Sequence, residues 1–159
     1  MTAVDSGAKA SEWLNAVLDS SGLSFASRAQ YLLVNSSTIR HFMSVLALDG
    51  VWCSESELTV RFRPNLVISG VPPFQEETWQ RIKIDHVFFR CVGTCSRCRV
   101  ICVDPETGNM DNRLLTALRK VHDYKLTFGI YLAAETSIDQ LKISVGDAVE
   151  VIDYKQLRH

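Results

Sequence analysis

The 159 residues carry 47% apolar and 22% charged side chains, the profile of a globular chain large enough to bury its own core. A formal net charge of −1 gives no global field for nucleic acid or an anionic membrane, so any anion must be held locally. No apolar run approaches the roughly 18 to 20 residues of a membrane span, and Met1 to Lys9 lacks the apolar stretch of a secretion signal. A cytoplasmic setting is therefore expected, where thiols stay reduced.

Residues 1–9 read as a disordered lead. Ala10, Trp13, Leu14 and Val17 recur at helical spacing, and Ser20-Ser21-Gly22 closes that segment. Residues 1–24 are thus expected to be a lead with one short helix, and residues 25–159 the domain proper. Ala29 to Val34 reads as a buried strand. A helix follows, capped by Ser36 or Ser37, with Ile39, Phe42, Met43 and Leu46 as its apolar stripe and Asp49-Gly50 as its end.

From Leu58 the apparent period is two. Leu58, Val60 and Phe62 would face one side of a strand, and Thr59, Arg61 and Arg63 the other. Pro64 interrupts this strand, which resumes from Leu66 to Ser69. Pro72-Pro73 marks a loop, and Glu76 to Arg81 a short helical turn. Ile82 to Val92 reads as a hairpin with Asp85-His86 at its tip. Arg99 to Val103 is expected to be another short strand, and Asp104 to Gly108 a tight turn. Leu114, Leu115, Leu118 and Val121 make a second amphipathic helix, and two final strands flank Gly146-Asp147. Seven or eight strands without strict βαβ alternation predict an α+β fold, mainly β: a mixed or antiparallel barrel with peripheral helices.

Two constellations could carry chemistry. On one strand face, Arg61 and Arg63 would stand about 6 to 7 Å apart, with Asn65 just beyond the proline. Guanidinium forks suit phosphate or carboxylate oxygens, although two arginines are a weak signal and spacing alone favours a solvated strand face. The second constellation is Cys95-Ser96-Arg97-Cys98-Arg99. Between residues 88 and 103 the only charges are Arg90, Arg97 and Arg99, so a thiol here lies among cations that favour thiolate, persulfide or soft-metal chemistry. Cys95 could be a second thiol. Two other readings stay open: half of a zinc site, for which no second C-x-x-C or H-x₃₋₅-H exists, and simple burial, above all for Cys91 and Cys102. His86 falls at a hairpin tip, His41 on a helix surface and His122 at a helix end. No Ser-His-Asp order, HExxH motif or glycine-rich phosphate loop is present.

The run Arg61-Phe62-Arg63-Pro64-Asn65-Leu66-Val67-Ile68-Ser69-Gly70 resembles the RFRPN-V-SG signature of MOSC domains. In the family's order follow Glu77 and Trp79, an I-x-I strand, Cys95-Ser96-Arg97-Cys98, Asp104-Pro105-Glu106-Thr107-Gly108, Phe128-Gly129-Ile130-Tyr131 and a closing Val145-Gly146-Asp147. Together they cover about residues 25–153. Residues 25–35 and Val100-Ile101-Cys102 look closest to the C-terminal part of molybdenum cofactor sulfurases.

The resemblance implies a module that binds the molybdenum cofactor, a molybdopterin. Arg61, Arg63 and Asn65 would contact the pterin phosphate and ring. Ser96 and Arg97 would line the metal end, and Cys98 would ligate molybdenum or carry the sulfur. Such proteins join this region to a pyridoxal-phosphate cysteine desulfurase domain, whose Schiff-base lysine these 159 residues lack. A desulfurase domain is therefore an expected partner. The sulfurated cofactor would serve molybdenum hydroxylases such as xanthine dehydrogenase and aldehyde oxidase, with neither nucleic acid nor membrane as partner. Two alternatives are a non-catalytic cofactor-binding or docking module and a molybdenum-dependent N-oxide or amidoxime reductase.

Overall fold

The computed structural model describes residues 2–4, 29, 31–122, 125–135 and 142–156. The expected lead helix around Trp13 lies outside the described residues. Those described form seven strands and three α-helices, the predicted α+β class with strands dominant.

Thr2–Val4, expected to be part of a disordered lead, instead form strand β1, paired antiparallel with residues 67–69, and β2 (Tyr31–Asn35) follows. In β2 successive side chains point to opposite faces, and both faces are covered. Leu32 and Val34 join a core built with the helices, while Tyr31 and Leu33 join a second core on the other side of the sheet. Helix α1 (Ser36–Leu48) begins directly after it. Its N-cap is Asn35, whose side chain accepts from the Ser37 N–H, so neither Ser36 nor Ser37 does the capping. Asn35 also donates to the Pro72 carbonyl at 2.8 Å and to Glu76 at 3.0 Å, which a serine is too short to do. Helix α1 has no acidic residue in its first turn. Glu76, fully buried in the 3-10 turn Gln75–Thr78, supplies a carboxyl there instead.

The stretch from Leu58 is the clearest correction. It is not a strand but part of helix α2 (Glu55–Phe62). Leu58 and Phe62 share both parities: two apart twice over on a strand, and i,i+4 on a helix. Local chemistry decides between them. Ser54 caps the helix by accepting from the Glu57 N–H, Glu55 and Glu57 sit at its positive end, and Glu57 pairs with Arg61 one turn on. Val60, aligned with Leu58 and Phe62 in the strand reading, is 51% exposed. Arg61 and Arg63 therefore share no strand face.

Arg63 caps α2 in the left-handed conformation (φ 50, ψ 50), a position usually given to glycine. Pro64 prevents further helix, and β3 (Leu66–Ser69) then pairs parallel with β2. The hairpin β4 (Trp79–Ile84) and β5 (Val87–Ser96) turns at Asp85-His86 as predicted. Arg99–Cys102 is a 3-10 turn rather than a strand, and Val103 makes only an isolated bridge to Met110. Helix α3 (Arg113–Val121) precedes β6 (Thr127–Ala134), and β7 (Val149–Tyr154) follows the Gly146 turn.

The sheet runs β1-β3-β2-β6-β5-β4-β7 and curls into a half-barrel. Every pair except β2/β3 is antiparallel. One core packs α1, α2 and α3 against Leu32, Val34 and Phe128; the other fills the opposite face around Trp79, Ile82, Phe89 and Ile130. The first core underlies the site.

Candidate functional site

The cysteines do not converge. Register shifts in β5 between Cys91 and Gly93, and again between Thr94 and Ser96, break its alternation. Cys91 consequently packs toward the core around Trp79, whereas Cys95 faces the helical core, where Cys102 is also buried. Desolvation pushes the Cys91 thiol up to about 11. Among the described residues no group of three or more His, Cys, Asp or Glu could hold a metal ion. Cys98 differs from these neighbours: it leaves the end of β5 in extended backbone, begins the 3-10 turn, and is exposed.

What fixes Cys98 is the residue before it. The Arg97 N–H donates to the Leu126 carbonyl at 2.6 Å. Its guanidinium reaches two further carbonyls: Nε and Nη2 donate to Phe128 at 2.9 and 2.6 Å, and Nη1 donates to Phe62 at 2.9 Å. The Phe62 carbonyl is one of those left over at the end of α2, and Arg97 supplies its donor. The Phe62 and Phe128 rings stack in parallel with centroids 3.8 Å apart, and Arg97 lies 5.2 Å from the Phe62 centroid. Burial draws the Arg97 guanidinium below its ordinary value, an effect opposed by the nearby Cys95, Tyr131 and Cys98 groups.

Four separate sequence motifs meet in this way. RFRPN contributes the Phe62 carbonyl and ring, CSRC contributes Arg97, and FGIY contributes Phe128 and Tyr131, whose hydroxyl accepts from the Cys95 thiol at 3.0 Å. The DPETG turn joins through Asp104, which takes Arg61 Nη2 at 2.6 Å.

The individual site residues are placed differently from the strand picture. Arg61 is 8% exposed and paired with both Glu57 (3.0 Å) and Asp104. Arg63 and Arg99 are exposed, with no side-chain acceptor among the described residues. Asn65 exchanges hydrogen bonds with β2: its N–H donates to the Leu32 carbonyl at 2.9 Å, and its Oδ1 accepts from the Leu32 N–H at 2.8 Å. It thereby completes the ladder where Pro64 cannot. Ser96 is exposed at the end of β5. Spacing did not reveal Phe62, Asp104, Phe128 or Tyr131 as parts of the site. Their occurrence inside the four motifs was the available signal.

The donor set fits a soft metal bound by one exposed thiol, with exposed cations nearby in sequence for an anionic group. Cys98 supplies a soft sulfur, and Arg63 and Arg99 supply guanidiniums with no carboxylate partner among the described residues. Arg97 fits less directly, since each of its three guanidinium nitrogens already donates to a carbonyl.

Comparison with known proteins agrees with the motif order. The MOSC domain family model matches residues 21–150. The chain is 34% identical over 157 residues to molybdenum cofactor sulfurase of Caenorhabditis briggsae, covering 91% of this chain and 22% of that protein. It is 36% identical over 141 residues to the Caenorhabditis elegans protein of the same name, covering 81% and 19%. With the Homo sapiens protein it shares 36% over 115 residues, covering 69% and 13%. The chain thus spans about a fifth of the length of these relatives or less. By the extent of the model match and the order of its motifs, the chain belongs to the MOSC domain family.

Proposed function

We propose that this domain is the cofactor-holding, sulfur-handling module of a molybdenum cofactor sulfurase. The observation that carries the reading is Cys98: an exposed thiol at the junction of four motifs, on a backbone anchored by Arg97. The proposed cofactor-binding set is Arg63, Asn65, Ser96 and Arg97, with Cys98 at the metal end and Arg61 in a supporting role. When bound, the cofactor supplies the site that accepts sulfur.

The chemistry assigned to this chain is thiol exchange. The Cys98 thiolate attacks the outer sulfur of a persulfide presented by a cysteine desulfurase domain. The partner's S–S bond breaks, its cysteine leaves as a thiolate, and Cys98 carries the persulfide with no net oxidation. The cofactor's eventual recipients are proposed to be molybdenum hydroxylases such as xanthine dehydrogenase and aldehyde oxidase. No helix among the described residues is long and apolar enough to cross a membrane, and the proposed setting is the cytoplasm.

The test is cofactor retention. The domain and its Cys98→Ser variant are incubated with molybdenum cofactor, freed of unbound material, and assayed for molybdenum, pterin, zinc and iron. Molybdenum and pterin retained together, and weakened by the substitution, support the reading. Zinc alone, or no pterin on the folded wild type, overturns it.

A further inference from the structure

We infer that Arg61 and Asp104 are positioning residues for Cys98: a latch that holds the far end of its segment rather than a pair of ligand contacts. The inference deepens the sulfur-handling reading and rests on it for its functional meaning.

The Cys98 segment is held at both ends by the last turn of α2. On the near side, Arg97 Nη1 donates to the Phe62 carbonyl. On the far side, Arg61 Nη2 donates to Asp104 Oδ2 at 2.6 Å. Between these anchors the chain is a single 3-10 turn: the Cys98 carbonyl accepts from Ile101 N–H at 3.3 Å, and the Val100 carbonyl from Val103 N–H at 3.1 Å. Ile101 and Cys102 are buried in the helical core. A displacement of Asp104 therefore has little slack to absorb it before Cys98.

Asp104 divides its two oxygens between two tasks. Oδ1 accepts from the Glu106 and Thr107 N–H groups at 3.0 and 2.8 Å and shapes the DPETG turn. Oδ2 is left for Arg61. The hydrogen bonds from Thr107 and Glu106, together with the Arg61 charge, hold the carboxyl below its ordinary value.

Arg61 is poorly suited to an anionic ligand. Its single positive charge already faces Glu57 and Asp104, and it also lies close enough to Asp111 to stabilise that carboxylate. Arg113 also donates to Asp111. A phosphate approaching Arg61 would meet an excess of negative charge. Its remaining Nε and Nη1 are buried without a partner among the described residues, so neither faces solvent from which a ligand could arrive. Arg63, two residues on and exposed, has no such restriction.

The test reads Cys98 without cofactor or sulfur donor. Native wild type, Arg61→Met, Asp104→Asn and the double variant are alkylated with iodoacetamide across neutral to alkaline pH. The Cys98 rate is followed by peptide-resolved mass spectrometry, with circular dichroism reporting the folded fraction. Asp104→Asn keeps an oxygen for the turn while losing the charge facing Arg61. Each single variant is expected to change the folded-state Cys98 rate by about threefold or more, and the double variant by no more than the larger single change. Arg61→Lys, which retains the charge, should recover part of the wild-type profile.

Cys98 profiles within about twofold of wild type in folded variants, or fully additive effects, would overturn the inference. If Arg61→Met does not fold, Asp104→Asn alone decides by the same criterion. An altered Cys98 profile in a domain that never retains molybdenum would leave the latch standing and remove the proposed function. Retained cofactor with unchanged profiles would do the reverse.

Discussion

Arg97 engages one residue in two ways: Nη1 donates to the Phe62 carbonyl at 2.9 Å, and the guanidinium carbon stands 5.2 Å from the centroid of the Phe62 ring. The same guanidinium takes the Phe128 carbonyl, and the two phenyl rings stack. A helix end, a strand and the Cys98 segment are thereby joined at a point where burial makes an unmet hydrogen bond costly.

That arrangement predicts energetic coupling between the rings. Phe62→Leu and Phe128→Leu should each destabilise the fold, and a double-mutant cycle by urea unfolding should return about 0.5 to 1.5 kcal/mol of coupling. Strict additivity would mean that the stack contributes only through area buried.

Gly129 is constrained twice over. It holds φ +77, and a Cβ there would stand 2.6 Å from the Leu33 carbonyl oxygen and 2.9 Å from a Val34 methyl. Gly129→Ala must therefore strain its own backbone and push β2 away from β6. A loss of about 2 to 4 kcal/mol is expected from the left-handed conformation and the overlap together. A variant as stable as wild type in the same urea titration would contradict this packing.

Glu76 makes stability depend on pH. Desolvation raises its pKa, against the lowering effect of hydrogen bonds from Asn35 and Thr38. A carboxyl with a folded pKa above its unfolded one holds its proton more tightly when folded. Its contribution is fully present below the ordinary glutamate range and is lost as pH rises through the raised value. The urea midpoint of wild type relative to Glu76→Gln should thus increase as pH is lowered from neutral toward that range. A difference independent of pH would show that Glu76 does not titrate in this way.

Cys98→Ser touches an exposed side chain, so its stability should lie within about 0.5 kcal/mol of wild type while cofactor retention falls. Cys91 offers the contrast. With its thiol pushed up to about 11, it should alkylate in the native state far more slowly than Cys98 at mildly alkaline pH. Equal rates at the two positions, measured peptide by peptide, would count against the packing of half-buried Cys91 on the core around Trp79.

Much of this protein is legible in its sequence. The α1 stripe of Ile39, Phe42 and Leu46, the hairpin turning at Asp85-His86 and the DPETG turn follow from periodicity and turn chemistry, which act over a few residues. The order of the motifs was enough to mark the family. The segment Leu58 to Arg63 is not legible from its period, because Leu58 and Phe62 satisfy both strand and helix spacing, and the contacts that favour helix come from Ser54 and Glu57, outside the alternation itself.

Only the tertiary structure decided which arginine does what. Four arginines in or beside the motifs, Arg61, Arg63, Arg97 and Arg99, are chemically alike on paper. Burial then divides them: Arg61 goes to two carboxylates, Arg97 to backbone carbonyls left open at a helix end and a strand, and Arg63 and Arg99 stay in solvent. The physical reason is desolvation. A guanidinium removed from water takes whatever acceptors the fold brings within about 3 Å, and those acceptors come from segments far apart in the chain.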